Sequence, residues 1–123
     1  MKKAYIAGPM TPRGNRKDTD NAAIEYLRNV GDMIHAETAL REKGYTPFNP
    51  GRDLLSFLFL RPGENISEER IKAESMEWLD VCDLVVLLPG WEVSPGCQAE
   101  RQRAIELGMP QFYGVKSVPN ESC

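Results

Sequence analysis

A chain of 123 residues and 13.8 kDa makes about one domain, long enough to bury roughly two-thirds of its unfolded surface around a single core, which excludes a two-domain enzyme. Hydrophobic residues at 41% and charged residues at 27% exclude a disordered or fibrous chain. A net charge of -3, from fifteen basic and eighteen acidic side chains, offers no general attraction to a polynucleotide backbone, so no polynucleotide partner is expected.

Lys3-Ala-Tyr-Ile-Ala7 reads as a short buried strand stopped by Gly8-Pro9. Although Met1-Lys2-Lys3 is basic, only four apolar residues precede Gly8, too few for a secretory leader. From Gly8 to Asp20 the chain is rich in Gly, Pro, Thr, Arg, Lys and Asn without an apolar period, a loop leading into the first helix. Between about Asn21 and Lys43 the residues Ala23, Tyr26, Leu27, Val30, Ile34 and Leu40 recur at helical spacing, and Gly44 closes the run as a C-cap. Tyr45 to Phe48 is a second strand, and Asp53 to Leu60 a short helix. The longest apolar run, Leu54 to Leu60, is broken by Ser56 and falls far short of the ~20 residues of a membrane helix. No membrane partner is expected, and the chain reads as cytoplasmic.

Asn65-Ile-Ser-Glu68 opens another helix, with Ile71, Ser75, Trp78, Leu79 and Cys82 on its inward period. Asp83 to Leu88 is almost continuously apolar, as a strand buried on both faces of a parallel sheet requires. Ser94-Pro95 supplies an N-cap and a proline at the first helical position, for a helix that runs to Leu107 and stops at Gly108. Pro110 to Tyr113 is the last strand. The alternation of strand and helix spells an α/β doubly wound open parallel sheet of about four to five strands in one domain, residues 1–115, followed by a loose tail, 116–123. Cys82, Cys97 and Cys123 are odd in number and lack C-x-x-C pairing, which suits a reducing compartment and excludes structural zinc. The single histidine, His35, lies mid-helix without partner ligands, so no metal site is expected.

In such sheets ligands bind outside the carboxyl ends of the strands. The loops in question are Gly8 to Lys17 and Pro89 to Ser94. On the last helix Cys97, Glu100, Ala104 and Leu107 fall on one stripe, and Glu100 is its polar exception. A carboxylate there must be hydrogen-bonded, paired, or open to a cavity. Helical side chains lean towards the N-terminus, so Glu100 points back over Gly96, which has no side chain to cover it. The nearby helix N-terminus favours an anion, either Glu100 itself or an anionic substrate. An ionised carboxylate in a hollow is suited to act as a nucleophile or as the partner of a cationic transition state. The alternative is an ion pair with Arg101 or Arg103 on a solvated face.

Tyr5-Ile-Ala-Gly8-Pro9-Met10 after the first strand, and Cys82-Asp-Leu-Val-Val-Leu-Leu-Pro-Gly-Trp91-Glu-Val-Ser94-Pro-Gly96-Cys-Gln-Ala-Glu100, resemble the nucleoside 2-deoxyribosyltransferase superfamily. The likeness covers most of the chain. It is nearest to a small bacterial and phage branch with an A-G-P-M start and a G-W-x-x-S-x-G-x-x-x-E segment, and more distant from the deoxynucleoside monophosphate N-hydrolases and the true transferases. The resemblance implies a flavodoxin-like fold, a homodimer or higher homo-oligomer, no cofactor, and cleavage of an N-glycosidic bond with retention through a glutamate nucleophile, the position matched by Glu100. Water as acceptor makes a hydrolase; a second base makes a transferase. Ser94 matches a substrate-contacting position, and Tyr5 and Gly8 match the turn that lines the sugar pocket, with Pro9, Met10 and Gly96 beside them. The chain departs from the superfamily in three places. Ser75 stands where an aspartate assists the leaving nucleobase, and serine is a poor general acid, with Glu74 next to it but rotated by about 100° on a helix. Gln98 stands where a second glycine precedes the nucleophile. The tail is too short to complete a neighbour's active site.

Other residues have two readings each. Asp83 sits at the amino end of its strand, where a strand-start role outweighs a phosphoacceptor role. Arg13, Arg16 and Lys17 either grip a 5′-phosphate or form a solvated basic loop. Trp91 either stacks on a nucleobase or anchors its loop over the sheet edge. Cys97 belongs to the core. Gly8-Pro9-Met10-Thr11 is neither a dinucleotide fingerprint nor a phosphate-binding loop. The expected ligand is therefore a small molecule, a (deoxy)nucleoside or its 5′-monophosphate, bound by an N-glycosidase or, in the alternative, by an inactive nucleotide-binding module of the same fold.

Overall fold

A computed structural model describes residues 1–10 and 19–121 of the chain. Four strands, β1 (Lys3–Ala7), β2 (Thr46–Phe48), β3 (Leu84–Leu87) and β4 (Gln111–Tyr113), form one sheet in the order β2-β1-β3-β4, every pair parallel. Helix α1 (Thr19–Glu42) connects β1 to β2. Helix α2 (Gly51–Leu54), a 3-10 turn over Leu55–Phe59, and helix α3 (Glu68–Asp80) connect β2 to β3, and helix α4 (Pro95–Glu106) connects β3 to β4. This is the α/β, flavodoxin-like arrangement, with four strands.

Each parallel connection needs a crossover, and crossovers of one hand place helices on both faces of the sheet. Side chains alternate along each strand. Ala4, Ile6, Leu84 and Val86 therefore pack under α1 with Met33, Ala36 and Leu40. Tyr5, Ala7, Val85 and Leu87 turn to the other face, against Leu79 of α3 and Cys97 and Ala104 of α4. This alternation decides the site, because it turns Tyr5 towards the helix that carries Glu100. Asp83 fixes the register. Its carboxylate accepts the Lys3 N–H at 2.7 Å while its own N–H donates to the Lys3 carbonyl at 2.8 Å, a role in starting the strand.

Three expected faces differ in detail. On α1 the inward stripe is Val30, Met33, Ala36, Glu37 and Leu40, whereas Leu27 is exposed. The hydrophobic period misses Glu37 because it is charged, yet it is buried and neutralised by Arg52, which donates from Nε and an NH2 group at 2.7 and 2.6 Å. Trp78 of α3 is half exposed, lying over the outermost strand, where it stacks on Phe48 at 5.4 Å. Leu107 is the C-cap of α4, beyond its last buried residue, Ala104, and is exposed.

The segment from Lys116 onward, expected to be loose, is instead docked as far as residue 121. Lys43 Nζ donates to the carbonyls of Val115 and Val118 at 2.8 and 2.6 Å, and the Tyr45 hydroxyl donates to the Pro119 carbonyl at 2.8 Å. Val118 is buried in the core under α1. Lys43 and Tyr45, in the turn between α1 and β2, anchor this tail, and a composition-based reading does not see them.

Candidate active site

Beyond β3 the chain turns at Gly90, whose φ of +95° suits glycine, and a 3-10 turn over Trp91–Val93 delivers Ser94. The Ser94 Oγ accepts the Cys97 N–H at 3.3 Å and Pro95 occupies the first turn, so α4 begins where the sequence signals place it. One turn further, Glu100 projects into a cavity of about 470 Å³ between α3 and the start of α4, at the carboxyl end of β1. Its walls are mostly apolar, including Ile71 and Met76 of α3 and Pro95, Gly96 and Ala99 of α4, with Tyr5, Met10 and Pro50 from the strand ends. A side chain at Gly96 would meet no atom within 4 Å, so its absence keeps this space open.

Neither arginine that competes for Glu100 holds it. Arg103 grips Asp80 through two hydrogen bonds of 2.8 and 3.1 Å, and Arg101 lies over the Trp91 ring at 5.1 Å while donating to the Tyr113 hydroxyl at 3.0 Å. Glu100 is partly buried, and loss of solvent pushes its carboxyl up to about 7 from the usual 4.5. The Tyr5 hydroxyl acts the other way, favouring the ionised form. That hydroxyl is buried, makes no hydrogen bond of standard geometry, and is itself held well above the usual phenol range by burial first and then by the Glu100 charge. An unsatisfied phenol beside a desolvated carboxyl leaves two polar groups available to a ligand.

Tyr5, Met10, Gly96 and Glu100 thus share one cavity. The other candidates lie elsewhere. Gly8 turns to the α1 face, where a side chain would come within 2.9 Å of Met33. Pro9 lines a separate hollow of about 600 Å³ under α1 with His35, Leu88 and Val115. Ser94 is engaged as the helix cap, and Trp91 packs against Tyr113 with ring centres 5.3 Å apart. Arg13, Arg16 and Lys17 lie outside the described residues. Gln98 donates to the Glu92 carbonyl. A third hollow, about 710 Å³, lies by Arg52, Phe59 and Ile66. Both of these hollows are larger, but it is the hollow beside Glu100 that pairs a carboxyl desolvated by burial with a buried, unsatisfied phenol, the feature that points to chemistry.

The α3 wall is what the sequence reading missed. Ile71 and Ser75 belong to the expected inward period, but Lys72 and Met76 also line the cavity, and no motif announces them. The Ser75 Oγ donates to the Ile71 carbonyl at 3.0 Å, and Glu74 accepts from Arg70 at 3.0 Å outside the cavity. Neither supplies an acid to a ligand opposite Glu100.

The family described as Domain of unknown function (DUF4406) matches residues 2–113. The chain belongs to this family. No curated protein matches it in sequence. Among solved structures it is similar to a 2-deoxyribosyltransferase from the psychrotolerant bacterium Bacillus psychrosaccharolyticus, with TM-score 0.61 and 20% identity over 90% of this chain and 70% of that one. It is also similar to a 2-desoxiribosyltransferase from Leishmania mexicana, with TM-score 0.50 and 19% identity over 92% of this chain and 63% of that one. The chain therefore spans about two-thirds of the length of these neighbours, and at such identities the likeness is one of fold. None of the described helices is long and apolar enough to cross a membrane.

Proposed function

We propose that this protein breaks the N-glycosidic bond of a (deoxy)nucleoside or its 5′-monophosphate, with Glu100 as the nucleophile. The observation that carries this reading is the Glu100 carboxyl facing an apolar cavity, desolvated enough to titrate near 7 and flanked by the buried Tyr5 hydroxyl. The shared fold of the two 2-deoxyribosyltransferases supports the substrate class. In the ionised state one Glu100 oxygen attacks the anomeric carbon, the C–N bonding pair leaves with the base, and a glycosyl ester forms through an oxocarbenium-like transition state. Water or a second base then attacks the same carbon from the face the first base left, restoring the starting configuration and freeing the carboxylate. The Tyr5 hydroxyl beside the carboxyl favours its charged form, the role of a positioning residue.

The second reading, a binding module without turnover, is favoured by one observation: Ser75 and Glu74 spend their polar atoms on their own helix. One experiment separates the two. Purified protein and Glu100→Gln are incubated with a panel of nucleosides and deoxynucleoside 5′-monophosphates, and free base is quantified. Release of base, reduced at least about 10³-fold by the substitution, is the expected result. Thermal stabilisation by a panel member without base release would establish the binder instead.

A further inference from the structure

Three features stand outside the proposed chemistry: the hollow under α1, the exposed apolar Leu58, Phe59 and Leu60, and the lysine in the cavity wall. Nothing in the structure says what covers the first two. The third is different, because its place has a chemical consequence. A departing nucleobase leaves with the electron pair of the broken bond, and an apolar cavity is a poor place for that negative charge. Among the described residues lining the cavity, Lys72 is the only cation, on the wall opposite α4 and Glu100. It lies three residues before Ser75, so both side chains fall on the same side of α3.

We infer that Lys72 is the group that protonates the departing base, replacing a carboxylic acid on α3. This rests on the proposed function. Lys72 has a flexible four-carbon stem in the cavity wall, and its ammonium rests 3.2 Å from Glu68 one turn back, both side chains well exposed. Such an exposed pair is worth little, so breaking it costs little, and the negative charge developing on the departing base offsets the desolvation of the ammonium in the cavity. As the C–N bond breaks and Glu100 takes the anomeric carbon, an ammonium proton passes to a nitrogen or oxo oxygen of the base, leaving a neutral base and a neutral amine. In the second step the water that attacks the glycosyl ester gives its hydroxyl to the sugar and its proton to Lys72. Bonds and protons then balance over the cycle without a further reactant. The leaving group this favours is a base with an acceptor atom near the glycosidic nitrogen, as in oxo-substituted pyrimidines or purines. Bases that already carry a proton or alkyl group at that atom need Lys72 least.

The test compares wild type, Lys72→Met, Lys72→Arg and Glu100→Gln on two substrates. One is the best nucleoside or nucleotide of the panel. The other is 4-nitrophenyl 2-deoxyriboside, whose leaving group needs no proton. For Lys72→Met, kcat/KM, which reports cleavage of the glycosidic bond, is expected to fall about 10²-fold or more on the natural substrate and less than about threefold on the nitrophenyl glycoside. The melting temperature should stay within about 2 °C of wild type, and Lys72→Arg, whose guanidinium keeps its proton, should lose about as much as Lys72→Met. Equal losses on both substrates, or none on either, would overturn the role of Lys72 while leaving Glu100 as nucleophile if Glu100→Gln abolishes both reactions. Absence of turnover by the wild type on every substrate would overturn the function together with this role.

Discussion

Glu100 sits between opposing demands. The proposed nucleophilic attack needs the carboxylate, while burial penalises it. With the carboxyl held near 7, the active form gains population as pH rises, so kcat/KM should climb through that region and level off above it. Tyr5→Phe keeps the ring that packs on Phe48 at 5.5 Å but removes the hydroxyl that favours the charge. The rising limb should then move to higher pH, which a pH–rate profile of both proteins reads directly. The same burial has a stability consequence with a definite sign. The native carboxyl binds its proton more tightly than the unfolded one, so no penalty exists below the ordinary value of 4.5 and the full penalty is present above about 7. A displacement of this size corresponds to roughly 3 kcal/mol, which partial exposure trims to about 2 kcal/mol. Glu100→Gln is therefore expected to stabilise the fold by about that much at pH 8 and by little at pH 4. Urea unfolding at both values checks it, and an inactive variant that is also less stable at pH 8 would contradict the burial.

The elements show why part of the site is legible in sequence. The Ser94-Pro95 start of α4 follows from local chemistry, and once the start is known the phase of Glu100 against Cys97 and Ala104 follows from helical spacing. Likewise, two-residue alternation in β1 settles which face Tyr5 occupies. By contrast, Lys72 and Pro50 line the same cavity as Glu100 only because α3 and the β2–α2 connection cross the end of β1. Such a meeting depends on packing between distant segments, which no local pattern encodes. Trp91 and Arg101 illustrate the same limit, since the loop composition permits a stacking role on a ligand and only the tertiary contact with Tyr113 shows the ring already engaged. The placement of α4 itself is testable. Ser94→Ala removes the acceptor for the Cys97 N–H and should cost about 1 kcal/mol in denaturant unfolding. Activity should also weaken, since Gly96 and Glu100 hang from that first turn.

For the whole molecule, composition and alternation suffice for the parallel α/β architecture, but not for how the end of the chain is held. The carbonyls of Val115 and Val118 are taken by Lys43, and Val118 fills the core beneath α1. Val118→Ala is expected to cost about 2 kcal/mol, from lost apolar burial and an incompletely collapsed void. Thermal unfolding with an unchanged cavity-side activity profile would locate the damage on the face away from Glu100.

The strand order has a consequence for how the protein comes into being. The pairing of β1 with β3 joins Ala4 to Leu84, and the helix bearing Glu100 follows only after that. During synthesis the first two strands emerge long before their central neighbour, and closing so large a loop is slow. A chain released halfway carries Tyr5 on a ribbon with one face bare. No fragment that stops short of the fourth helix holds the proposed site, so split pieces can rebuild it only by coming together as the sheet closes.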